Sequence, residues 1–332
     1  AGVAGPKWDH AVKRCWRRCG ALLGSPNVPS PSLDDARSAL GACLGTYAHR
    51  LGRPLPNDVD AITPGSPPSG ERRCFGLLRF HHDGASAALV RADRGRRILA
   101  LRGGIGRELV SAGSVLRRDT PLGLLANAPG SYDAGLREHV ARAFPDMRGF
   151  VHPGMGWRLS LLDWDAVENA LGRRGDAPIV VTGHSLGGGL ATLAGALLSD
   201  RGLSVQQVIT FGAPRVGDAE FAAAYRVPLT RFEFAHDPVP ILAAPGFDLR
   251  GVLPRAARRA LGADQVTAPI AYRHTGRLVY LDSAGRTHRA EPGLCRRRTT
   301  ALLRTSLTRD GRDRMLGDHV IPSYARMIRT LR

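Results

Sequence analysis

Ser185 lies in Pro178-Ile179-Val180-Val181-Thr182-Gly183-His184-Ser185-Leu186-Gly187-Gly188, a β-branched run, then G-x-S-x-G, then a glycine-rich helix start. A serine on a tight strand-to-helix turn projects its hydroxyl off the end of a sheet. The next residue can aim its backbone N–H at a developing oxyanion. That layout suits a nucleophile for acyl transfer. Glycines at 183 and 187 leave room in a turn where a Cβ would clash. The five-letter pattern alone also fits a glycine-rich turn with a surface serine. The order of strand, serine and apolar helix is what favours the nucleophile.

A serine hydroxyl needs a histidine to take its proton and a carboxylate to orient that histidine. On such a strand–turn–helix the chain order is Ser, then Asp or Glu, then His. Asp237 is the best-placed acid, in the loop His236-Asp237-Pro238-Val239-Pro240 after the strand-like Arg231–Ala235. Asp218 and Asp248 are less well placed, and the plain alternative for Asp237 is a turn-capping aspartate. His274, His288 and His319 follow it. His319 is favoured because it reads as a loop residue just before the last helix. His274 precedes a strand and suits a structural hydrogen bond, and His288 lies in a polar run suited to solvent. His184 reads as structural, its side chain pointing away from the serine. The oxyanion donors are expected to be the backbone N–H groups of Leu186 and Gly104, the latter after the strand-like Ile98–Arg102.

The elements that must carry these residues alternate. Strands are expected at Cys74–Phe80, Ala85–Arg91 and Arg96–Arg102, with a hairpin turn at His82-Asp83-Gly84. One helix is expected from Trp157 to Leu171. The helix after Ser185 carries Leu190, Leu193, Ala194, Leu197 and Leu198 on one stripe with small residues elsewhere, as a helix buried against a sheet should. Val205–Gly212, Arg231–Ala235 and Arg277–Asp282 read as strands, Ala219–Tyr225 and Ile321–Leu331 as helices. Strands alternating with helices imply a largely parallel sheet covered on both faces. Residues 1–70 read as a helical N-terminal extension, with helices at Trp8–Leu23 and from a cap at Ser32 to Leu51, then a proline- and glycine-rich linker.

Composition narrows the partners. The 332-residue chain has a formal charge of +18, and all its basic residues except Lys7 and Lys13 are arginine. Between Arg250 and Arg332 there are 18 arginines against 6 acidic residues. An anionic membrane surface fits this charge. Nucleic acid does not, for want of aromatic interleaving or a recognisable motif. The five cysteines (15, 19, 43, 74 and 295) have no zinc-like spacing; Cys15, Cys19 and Cys43 read as buried thiols, with a disulfide left open. From Ile179 to Leu198 no residue is charged, but glycines and polar residues break the run, so it reads as a buried helix and not a membrane span. Ala1–His10 lacks a signal-peptide pattern, although a processed chain would already have lost a leader.

Several segments in order resemble the class 3 (fungal-type) lipases of the α/β-hydrolase superfamily, over roughly Phe75 to the C-terminus. They are Thr182–Gly188, Thr210-Phe211-Gly212-Ala213-Pro214-Arg215-Val216-Gly217-Asp218, His236–Pro240, Val151-His152-Pro153-Gly154-Met155, and Asp318-His319 followed by Tyr324. The resemblance implies an α/β-hydrolase domain over 71–332 with a lid within 105–149. It also implies Ser185, Asp237 and His319 as a triad acting without metal or organic cofactor. Where the family has R-G-T or R-G-S this chain has Arg102-Gly103-Gly104, so the backbone donor stays and the assisting hydroxyl is missing. The function implied is a serine carboxylester hydrolase acting on acylglycerol or phospholipid esters. An inactive lipase-like binding or signalling module and an esterase for small soluble esters are the alternatives. Oligomeric state and compartment are not legible.

Overall fold

The computed structural model describes residues 31–48, 74–80, 86–103, 134–160, 162–172, 177–241, 272–289 and 293–331. Among them is an eight-stranded sheet whose spatial order follows the chain. Its strands are β1 (Cys74–Phe80), β2 (Ser86–Asp93), β3 (Arg96–Leu101), β4 (Ile179–His184), β5 (Val205–Phe211), β6 (Leu229–Phe234), β7 (Arg277–Leu281) and β8 (Thr287–His288). β3 to β7 run parallel, while β1, β2 and β8 join antiparallel at the two edges. The expected hairpin turn at 82–84 and the helix over 8–23 lie outside the described residues.

Alternation along the strands divides the core. Leu99, Leu101, Val181, Val208 and Leu229 face one side. They meet α2 (Ala134–Ala143), α3 (Pro153–Ser160), α4 (Trp164–Leu171) and α5 (Leu186–Asp200). Ile98, Ala100, Val180, Ile209, Phe211 and Phe232 face the other, under α1 (Leu33–Ala48) and α9 (Ile321–Thr330). Between these helices in the chain come α6 (Ala219–Ala224), α7 (Leu294–Ser306) and α8 (Arg309–His319). A parallel sheet is apolar on both faces, so layers on both sides are required.

Three elements differ from the sequence pattern. The single helix expected over 157–171 is two helices, broken where the Asp163 side chain accepts from Ala166 N and caps α4. The segment 134–149, which the family resemblance groups with a lid, opens as α2, and Val140 and Phe144 are buried in the core. Helix α1 belongs to the sheet's cover: Ala36, Ala39, Leu40 and Cys43 are fully buried against β-strand residues. Its start is a reciprocal cap, with Asp35 N donating to Ser32 Oγ and Ser32 N to the Asp35 carboxylate.

Candidate active site

β4 ends at His184 and α5 starts at Leu186, so Ser185 is the whole turn between them. Its φ of 59° and ψ of −131° are a conformation that side-chain-bearing residues avoid. Strain of about 1–3 kcal/mol persists only where surrounding contacts impose it. Here Ser185 N donates to Phe211 O at 2.9 Å, and Gly188 N and Gly189 N donate to Ser185 O. The turn closes because Gly183 and Gly187 lack side chains. A Cβ at 183 would lie 2.0 Å from Gly187 O, and one at 187 would lie 2.2 Å from Leu101 O. Leu186 N–H, in the first position of α5, has no carbonyl one turn back and sits at the positive end of the helix. Gly104, the other expected oxyanion donor, lies outside the described residues, as does Asp248.

The neighbouring strand ends supply the partners. Asp237 follows β6, and its fully buried carboxylate accepts from Val239 N at 2.9 Å and from Tyr324 Oη at 2.5 Å. His319 Nδ1 lies 2.9 Å from both Asp237 oxygens, and His319 Nε2 lies 2.8 Å from Ser185 Oγ. The partners assign the tautomer: a carboxylate accepts, so Nδ1 carries the proton and Nε2 offers a lone pair to the serine hydroxyl. The structure thus brings Ser185, His319 and Asp237 into one hydrogen-bonded row. Asp218 instead caps α6 through Phe221 N. His274 is buried and donates to Pro240 O, and burial pushes its pKa well down. His288 pairs with Asp282 at 2.9 Å. His319 is the last residue of helix α8 and not a loop residue, because the arginine-rich polar segment before it is helical.

Tyr324 and Gly212 complete the row. Burial and the Asp237 charge raise the Tyr324 pKa well above 10, so it keeps its proton and donates. Its position five residues after His319, one turn into α9, was the available signal. Gly212 follows β5 at a φ of 57°, and a Cβ there would lie 2.6 Å from Asp237 Oδ2 and 2.9 Å from Tyr324 Oη. Backbone pairing across the strands, with Gly212 N to Phe232 O and Ala235 N to Leu281 O, sets the loops beside one another. A second link ties the residues just before the acid and the base: His236 N donates to Asp318 Oδ2 at 3.0 Å, and His236 Nδ1 lies 3.2 Å from the same oxygen.

A mostly parallel sheet with a strained serine elbow after β4, an acid after β6 and a histidine at the end of α8, beyond the last strand, has the layout of the α/β-hydrolase fold. Residues 147–247 match the family described as Lipase (class 3). Lipase ZK262.3 of Caenorhabditis elegans is 36% identical over 126 residues, 35% of each chain. Secreted mono- and diacylglycerol lipase A of Penicillium cyclopium is 41% identical over 66 residues, 19% of this chain and 22% of the fungal one. The chain therefore spans about a third or less of the curated relatives it matches. Among solved structures, a deletion mutant of the Rhizomucor miehei lipase propeptide complex aligns at 18% identity and a TM-score of 0.49. The alignment covers 79% of this chain and 72% of that one.

Proposed function

We propose that this protein is a serine carboxylester hydrolase acting on acylglycerol or phospholipid esters. The observation that carries the reading is the Ser185–His319–Asp237 row, with Nε2 within 2.8 Å of Oγ. Ser185 Oγ attacks the acyl carbonyl while His319 takes its proton, and Asp237 orients the imidazole and stabilises its charged form. The oxyanion is held by Leu186 N–H and, by the family resemblance, Gly104 N–H. His319 then returns the proton to the departing alkoxide. Water, deprotonated by His319, cleaves the acyl-enzyme to acid and free Ser185. These steps use no metal or organic cofactor. The domain that goes with this reading is one α/β-hydrolase unit that includes α1 and α2, with the lid of the family resemblance assigned to the part of 105–149 before α2. The partners are a lipid or ester and, through exposed residues of α7 to α9, an anionic bilayer.

The test is hydrolysis of p-nitrophenyl butyrate and palmitate by wild type beside Ser185→Ala. Loss of turnover by a factor on the order of 10⁴ or more in a folded variant is expected. Preference for palmitate supports a lipase, and preference for butyrate an esterase of small esters. A folded wild type that hydrolyses neither ester and resists a fluorophosphonate probe overturns the reading in favour of a binding module.

A further inference from the structure

His184 is the residue before the nucleophile, and its side chain does not face solvent. It is buried at 5% exposure, its ring centroid 4.8 Å from that of His319 and 5.7 Å from that of Tyr324. His184 Nε2 lies 2.6 Å from the backbone carbonyl oxygen of His319. A carbonyl only accepts, so Nε2 carries the hydrogen. Burial, and then the adjacent His319, push the His184 pKa well below 6.5 and keep the ring neutral. Its Nδ1 is therefore a bare acceptor, and the hydroxyl 3.3 Å away, that of Tyr47, is the donor. Tyr47 belongs to the last turn of α1.

The carbonyl that His184 holds has a specific need. His319 ends α8, and the last four carbonyls of a helix find no donor within it. Ser323 Oγ donates to Gly317 O at 2.7 Å, and His184 donates to His319 O. Without such donors a helix end frays, and this one carries the imidazole opposite Ser185.

We propose that His184 is a positioning residue for the general base, and that Tyr47 holds His184 for that task. The dipeptide His184-Ser185 grips His319 at two points, its main-chain carbonyl through His184 and its Nε2 through Ser185 Oγ. Both points stand on the end of β4, a central strand, so the distance from nucleophile to base is fixed by one rigid element. The proposal rests on the reading of Ser185 and His319 as nucleophile and base. It also gives the N-terminal helix a task in the site, besides covering the sheet.

The experiment compares wild type, His184→Phe, His184→Gln and Tyr47→Phe on p-nitrophenyl butyrate. Active sites are counted by fluorophosphonate titration so that kcat refers to folded enzyme. Phe keeps a ring without its polar atoms, whereas Gln offers a donor and an acceptor. The expected result for His184→Phe is a kcat lower by about 10²-fold with KM nearly unchanged, the size that follows a small misplacement of reacting groups. His184→Gln recovers most of that loss. Tyr47→Phe, which deletes one hydroxyl on a half-buried residue, lowers kcat by about 3- to 10-fold. If His184→Phe does not fold, Tyr47→Phe and His184→Gln decide. A kcat within twofold of wild type for Tyr47→Phe and for whichever His184 variants fold overturns the proposal. So does a KM rise that accounts for the whole loss, or a His184→Gln no better than His184→Phe. A wild type that the probe does not label overturns the proposed function itself, so the two failures are distinguishable.

Discussion

Asp237 shows how much of the site is decided by a few atoms. A fully buried carboxylate is tolerated only when its oxygens are satisfied, and here they accept from Val239 N, Tyr324 Oη and His319 Nδ1. Tyr324 reaches Oδ2 only because Gly212 has no Cβ, which would lie 2.6 Å from that same oxygen. Removing the tyrosine hydroxyl leaves a buried charge one donor short, a defect of about 1–3 kcal/mol. Tyr324→Phe is therefore expected to lower kcat on a soluble ester by about tenfold and to lower the urea midpoint, with little change in KM. Steady-state kinetics beside urea unfolding checks this, and wild-type values in both would show the hydroxyl to be dispensable. At Cys43 the outcome is inertness. Thr182 Oγ1 donates to Ile209 O, so the thiol 3.3 Å away is left to donate to Thr182. Burial pushes that thiol up to about 12. It is a packing residue, in line with the sequence reading of a buried thiol.

At the scale of elements, the charge on the C-terminal helices has a definite layout. On α8, Arg309, Arg312, Leu316 and His319 follow spacings of three, four and three, which put them along one stripe. Leu316 is 62% exposed, and at the two ends of α8 Leu307 and Val320 are 80% and 46% exposed. Exposed aliphatic side chains beside this run of arginines suit the surface of an anionic bilayer, where each near-surface Arg contributes about 1 kcal/mol. Binding to phosphatidylglycerol vesicles is expected to weaken steeply between about 50 and about 500 mM salt, as screening shortens the reach of surface charge. Leu316→Ser is expected to weaken it at every salt concentration. Cosedimentation that is salt-independent, or equal on uncharged vesicles, removes the bilayer from the partners. The same helices mark where the sequence was hard to read. β4, α5, β5 and β6 were legible because apolar runs, a glycine elbow and alternation coincide there. α7 and α8 were not, since LCRRRTTALLRTS and RDGRDRMLGDH lack an apolar stripe. The sequence pattern accordingly places His319 in a loop. Tyr47 was out of reach for another reason: its partner His184 is 137 residues away, and no local pattern encodes that contact.

Across the whole molecule, net charge and buried histidines act together when the pH falls. The chain already carries a formal charge of +18 at pH 7, so each added proton increases self-repulsion. Burial lowers the pKa of His152 to about 4, and those of His184 and His274 well below 6.5, with the neighbouring His319 adding to the effect at His184 and Arg231 and Arg215 adding to it at His274. The unfolded chain protonates these rings below about 6.5 while the folded chain keeps them neutral. Their contribution is thus fully present above pH 6.5 and is lost as pH falls toward the folded-state values. The cost is about 1.4 kcal/mol per pH unit for each ring across that window. A second, lower window belongs to carboxylates held below their ordinary values. Arg96 and Ser32 lower Asp35 against its burial. Arg298 and Arg231 do the same for Glu233, and His288 and Arg286 hold Asp282 at about 2. Their contribution is lost only below about pH 4.5. The urea midpoint is therefore expected to fall steadily from pH 6.5 to 5, with a further drop under pH 4.5. His152→Gln is expected to remove about one proton's worth of slope between pH 6.5 and about 4 and none below that, whatever it does to stability at pH 7.5. A midpoint flat from pH 7.5 to 5, or a slope that His152→Gln leaves untouched, would mean that water reaches these rings in the folded protein.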